Sequence, residues 1–113
     1  MKADDFMNIA TIEKLWRECK TSLDRSYPDM TPEMVTHMKR GVELADATLE
    51  KLRGMAAFNG SLDPMNEDVM SEVMAIYSVV SGMSIMITRA SANRDRKLYR
   101  TAVRKTYRRK RGE

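Results

Sequence analysis

Apolar residues recur in alternating steps of three and four along three successive stretches, and no other feature constrains the fold as tightly. The first stretch is Ile9, Ile12, Trp16, Cys19 and Leu23. The second is Val35, Met38, Val42, Ala45, Leu49, Leu52 and Ala56. The third is Val69, Val73, Ile76, Val80, Met83, Ile87 and Ala90. A mean step near 3.5 gathers each set onto one face of a helix and suits helices packed side by side. No stretch alternates with period two, so no strand is predicted.

Two clusters of turn formers separate the stripes. In Ser26-Tyr27-Pro28-Asp29-Met30-Thr31-Pro32-Glu33 the two prolines lack the amide donor a helix interior needs. Thr31 is placed to cap the next helix, with Pro32 in its first turn and Glu33 facing the positive end of its dipole. In Asn59-Gly60-Ser61-Leu62-Asp63-Pro64, Gly60 suits a left-handed helix end and Asp63-Pro64 suits a helix start. The predicted helices run over roughly 5–25, 32–58 and 64–91. Short connections favour antiparallel neighbours. The expected fold class is therefore all-α: an antiparallel three-helix bundle with a basic C-terminal helical extension. At 113 residues the chain suits a single helical body, residues 1–91, followed by an arm, residues 92–113.

The third helix is unusual. Residues 73–88 carry no charge, and Met74, Val79, Ile85 and Met86 are apolar although they lie off the stripe. A helix that is apolar on most sides needs neighbours on most sides. The sequence predicts a homo-oligomer, with Val73, Ile76, Tyr77, Val80, Met83 and Ile87 as interface residues. A fourth helix folded back from the tail is the alternative. A membrane span is set aside because the run has sixteen uncharged residues, three of them Ser, against the roughly 20 apolar residues a bilayer requires.

Charge is divided along the chain. Residues 1–88 hold nine Lys or Arg against fourteen Asp or Glu, whereas residues 89–113 hold eleven against two. An acidic body joined to a strongly basic tail points to a polyanionic partner. Arg outnumbers Lys eight to three in the tail, and the guanidinium fork pairs with phosphate oxygens at two points. The candidate phosphate-gripping residues are Arg94, Arg96, Lys97, Arg100, Arg104, Lys105, Arg108, Arg109 and Arg111, with Tyr99 and Tyr107 placed to stack or to bond a backbone. Leu98, Tyr99, Ala102, Val103, Thr106 and Tyr107 give the arm a narrow apolar edge. Competing roles are a solubilising tail, a docking peptide for an acidic protein, or a clasp onto the body's own acidic patch at Glu43, Asp46 and Glu50. No zinc-finger spacing, ribonucleoprotein signature or helix-turn-helix accompanies the arm, so binding by charge and shape is expected.

Catalytic and metal readings find little support. His37 is the lone histidine and has no ligand-type neighbour at metal spacing. Cys19 lies on an apolar stripe, which suits a small core residue better than a nucleophile. Glu13 and Arg17 have the spacing of a surface helical pair. No enzymatic activity, cofactor or metal is expected. Met residues on or beside the stripes fill gaps, and they also suit adaptable protein-binding surfaces. The single Cys and the acidic N-terminus, which lacks an apolar leader, lead to an expected cytoplasmic or nucleoid-associated location. The sequence thus predicts a nucleic-acid-binding accessory protein, for DNA or RNA. The alternative is a protein-binding regulator (an inhibitor, scaffold or assembly adaptor, of the kind viruses encode) acting through its Met-rich surface.

Overall fold

Side chains that compete for backbone donors set the helix boundaries. The computed structural model describes residues 7–110. Helix α1 spans Ile9–Ser26 and begins at Asn8, whose side chain accepts from the Ala10 amide at 2.9 Å. Its C-terminal end tightens into a 3-10 turn, Tyr27–Asp29, because Pro28 offers no amide to continue the α ladder. Helix α2 spans Pro32–Met55, with Thr31 Oγ1 accepting from the Met34 amide at 3.2 Å as its sequence predicts. Helix α3 spans Glu67–Lys110, 44 residues without interruption. The protein is all-α: these are the three α-helices among the described residues, with no strand beyond one isolated bridge between Asn8 and Ser61.

Two helix boundaries and the place of one glycine differ from the sequence expectation. α2 ends at Met55, not at residue 58, because Ala56 turns extended (ψ 147°). Gly60 does take a left-handed conformation (φ +85°), but within the following turn, where its amide donates to the Ala57 carbonyl at 2.8 Å. α3 starts at Glu67 because Asp63 is occupied in a local turn, accepting from the Met65 amide at 2.9 Å. Asn66 then takes the capping role, its side chain accepting from the Asp68 and Val69 amides at 3.0 and 3.3 Å.

All three stripes face inward. Ile12, Trp16 and Leu23 of α1, Met38, Ala45, Leu49 and Leu52 of α2, and Val69, Val73, Ile76, Met83 and Ala90 of α3 are buried. The remaining stripe positions are half-buried, and most of them pack around that core. Leu62 of the α2–α3 connection is also buried, held by its amide donating to the Met7 carbonyl at 2.7 Å. The Ile9 amide donates to the Gly60 carbonyl at 2.8 Å and ties the same connection to the start of α1. At the opposite end of α1, the Asn93 amide side chain reaches the Asp29 carbonyl at 3.5 Å. Between these ends Cys19 Sγ lies 4.0 Å from Met83 Sδ. The order of these contacts makes α1 and α3 run in the same direction, with α2 returning between them.

Polar groups at the seams are matched. Trp16 Nε1 donates to Asp46 Oδ1 at 2.8 Å, and Lys20 shares that oxygen at 3.3 Å. Arg53 bridges α2 to α1 by donating to Glu13 at 2.6 Å, and it also pairs with Glu50 at 2.8 Å. Glu13 therefore pairs across helices with Arg53, not along its own helix with Arg17 as its spacing suggests. Arg53 is thereby held by two carboxylates at once, Glu13 from α1 and Glu50 from its own helix. Among the described residues no buried side-chain polar atom lacks a hydrogen-bond partner.

Candidate nucleic-acid interface

The basic segment extends the core helix directly. Ala90 is the last fully buried residue of α3, Asn93 hydrogen-bonds to the α1–α2 turn, and residues 94–109 are all exposed. The apolar stripe stops after Ala90 while the backbone stays helical. Neither Gly nor Pro falls at the break, and from Arg96 to Lys110 good helix formers such as Arg, Lys, Leu and Ala are frequent. At about 1.5 Å rise per residue the helix is about 66 Å long, and the molecule measures 70 × 30 × 18 Å. The length of the molecule is thus the length of α3.

Within the arm the cations follow a four-residue repeat. Arg96, Arg100, Arg104 and Arg108 succeed one another at i, i+4, with Lys97, Lys105 and Arg109 beside them. Residues four apart stack along one side of a helix and advance about 40° per step. The guanidinium groups therefore form a ridge that winds slowly around the axis. Leu98 and Tyr99, Ala102 and Val103, and Thr106 and Tyr107 occupy the other two places of each tetrad. Leu98, Tyr99, Val103 and Tyr107 are all substantially exposed. A cationic ridge thus runs beside an apolar one.

Among the described residues no salt bridge involves a cation of the arm. The salt bridges among the described residues all join positions between Glu13 and Glu72. Arg94 makes one hydrogen bond, to Ser91 Oγ at 3.4 Å. Asp46 and Glu50 of the acidic patch are engaged by α1 and α2 side chains, and the arm lies clear of them. Arg96, Lys97 and Arg100 line a recess of about 260 Å³ with Asp29, Met30, Thr31 and Asn93, at the point where the arm leaves the body. Of the predicted phosphate-gripping residues, Arg111 lies outside the described residues.

The six residues expected to form an oligomer interface are placed differently. Val73, Ile76 and Met83 are buried in the chain's own core, and Tyr77, Val80 and Ile87 are half-buried against it. Before the basic segment, the exposed large apolar side chains of α3 are instead Met74 and Ile85, joined by Leu44 of α2. Leu44, Ile85, Val79 and Met86 line an open groove of about 730 Å³ between α2 and α3, with Gly41 over its floor residue Met83 and with Arg40 and Arg89 at its rim. By length and composition α3 is also long and apolar enough to cross a membrane.

The remaining candidates occupy ordinary positions. His37 is exposed on α2. Burial raises the Cys19 thiol above its usual pKa, which keeps it protonated and a poor nucleophile near neutral pH. No cluster of metal-type side chains occurs among the described residues. Comparison of the chain with protein-family models, curated proteins and solved structures returns no match.

Proposed function

We propose that this chain is a non-enzymatic accessory protein that binds nucleic acid through the C-terminal third of α3. In this reading α1, α2 and the first half of α3 form a three-helix bundle, and residues 92–113 are its basic extension. One observation supports it above the others: Arg96, Arg100, Arg104 and Arg108 form an exposed ridge with no ion pair among the described residues. Such a ridge can exchange condensed counterions for phosphates, which is the main source of sequence-independent affinity for nucleic acid. Tyr99 adds an exposed aromatic ring beside the ridge, suited to stacking on unpaired bases. No side-chain set for reading base edges accompanies the ridge, so discrimination between sequences is expected to be weak.

Deleting residues 94–113 tests the proposal. The shortened protein keeps the whole buried core and is expected to retain its helical circular dichroism while losing oligonucleotide binding. Binding that survives the deletion refutes the proposal.

The exposed groove between α2 and α3 favours a second reading, a regulator that recognises another protein. In that case a stoichiometric protein partner survives nuclease and high salt during purification. In the first case nucleic acid co-purifies and high salt removes it. A cytoplasmic or nucleoid-associated location fits the first reading.

A further inference from the structure

The side of α3 that faces away from the core carries a self-complementary strip. Its residues Glu67, Ser71, Met74, Ser78, Gly82, Ile85 and Arg89 are all exposed. Their spacing reads the same in both directions from Ser78: four, three, four, then four, three, four. Laid against a second, antiparallel copy with Ser78 on the two-fold axis, Glu67 meets Arg89, Ser71 meets Ile85 and Met74 meets Gly82. Each large apolar side chain then faces a small residue, and each end charge faces its opposite. Among the described residues neither Glu67 nor Arg89 forms a salt bridge.

Gly82 adds a separate observation. A glycine in a helix interior costs about 1 kcal/mol relative to Ala. Here a Cβ at position 82 would meet nothing within 4 Å. Among the described residues no contact requires the glycine, and its bare surface would admit a neighbouring helix closely, with Met74 of that helix pointing at it.

We infer that the protein dimerises through this strip, two α3 helices packing antiparallel about Ser78. The interface is isologous, as a two-fold dimer demands. Its length from Glu67 to Arg89 is about 33 Å, and a contact one helix wide lies at the small end of stable interfaces, so dimerisation is reversible with concentration. Each partner helix begins opposite Arg89, so each arm from Arg94 onward projects past it. The two arms leave at opposite ends, their centres near residue 102 about 72 Å apart. The dimer needs no ligand on the arm, so its test is independent of nucleic-acid binding. A bilayer is the competing cover for the strip. It is disfavoured because the same stretch of α3 packs beside α2, which carries the exposed charges Arg40, Glu43 and Lys51.

Cysteine cross-linking of the full chain in a Cys19→Ala background decides the matter. A residue on the axis lies within disulfide reach of its own copy, whereas Met74 and its copy are offset by about 12 Å along the helices. Ser78→Cys is expected to form a disulfide-linked dimer on mild oxidation. Met74→Cys and Gly82→Cys are each expected to stay monomeric alone and to cross-link when mixed. Gly82→Leu, which has room within the folded chain, is expected to shift sedimentation from dimer to monomer. Glu67→Arg is expected to weaken the dimer, and adding Arg89→Glu to restore it. Self-linking of Met74→Cys alone would show parallel packing and overturn the inference. So would a wild-type protein that stays monomeric at high micromolar concentration, or one that is monomeric and floats with phospholipid vesicles.

Discussion

Ile76, Leu52 and Ile12 are fully buried where the three stripes meet, and truncating any of them to Ala removes contacts from all sides. Ile76→Ala is expected to lower stability by about 2–5 kcal/mol, measured by urea denaturation followed by circular dichroism. Trp16 has a second attachment, its indole donating to Asp46. Trp16→Phe keeps much of the apolar bulk and loses that bond, for an expected cost of about 1 kcal/mol in the same assay. Cys19 offers a chemical test. With its thiol held protonated by burial, alkylation at pH 7–8 is expected to be slower than for a free thiol. It should accelerate on adding denaturant, and equal rates in native and unfolded protein would contradict its packing. Individual residues were legible in the sequence where spacing alone decides their direction, as for every member of the three stripes. They were not legible where two partners compete, as for Glu13, whose neighbour Arg17 is four residues away but whose actual partner Arg53 comes from another helix.

At the scale of elements, the start of α3 shows how local chemistry overrides pattern. Asp63-Pro64 carries a helix-start signature, yet Asp63 is spent on the Met65 amide and Asn66 caps the helix instead. Asn66→Ala is expected to cost about 1 kcal/mol of stability, and Asp63→Ala less, because its turn precedes the helix. The far end of α3 teaches a related lesson. The stripe ends after Ala90, where the sequence places the start of a basic helical extension, and the helix runs on because nothing in Ser91-Ala92-Asn93 breaks it. Hydrophobic pattern reports which faces have neighbours, and helix formers report where the backbone continues. The middle of α3 was the hardest part to read. With apolar residues nearly all round, the sequence shows that the helix needs several neighbours but not which face meets which. Of the six residues expected to pair subunits, Val73, Ile76 and Met83 are buried in this chain's own core and Tyr77, Val80 and Ile87 are half-buried against it, while the exposed strip runs along the other side.

Over the whole molecule, α3 serves two roles in series. Its first half is the central packing element, and its second half is an exposed, cation-rich stretch of the same helix. A helix formed before binding places its guanidinium groups without a large ordering cost. If two chains associate as inferred, two arms act on one polyanion and avidity raises the apparent affinity well above that of one arm. Breaking the dimer with Gly82→Leu should therefore weaken binding to long duplexes, measured by fluorescence anisotropy, while leaving binding to oligonucleotides too short to reach both arms unchanged. Equal loss on short and long ligands would contradict that coupling. The most direct measurement of the central claim is the slope of binding affinity against salt concentration for wild-type protein and for a variant with Arg96, Arg100, Arg104 and Arg108 changed to Gln. Each phosphate contact contributes about 0.9 to the logarithmic slope on duplex DNA, so the variant should bind more weakly with a slope shallower by about 3–4 per arm engaged. An unchanged slope would show that the arginine ridge does not contact phosphates.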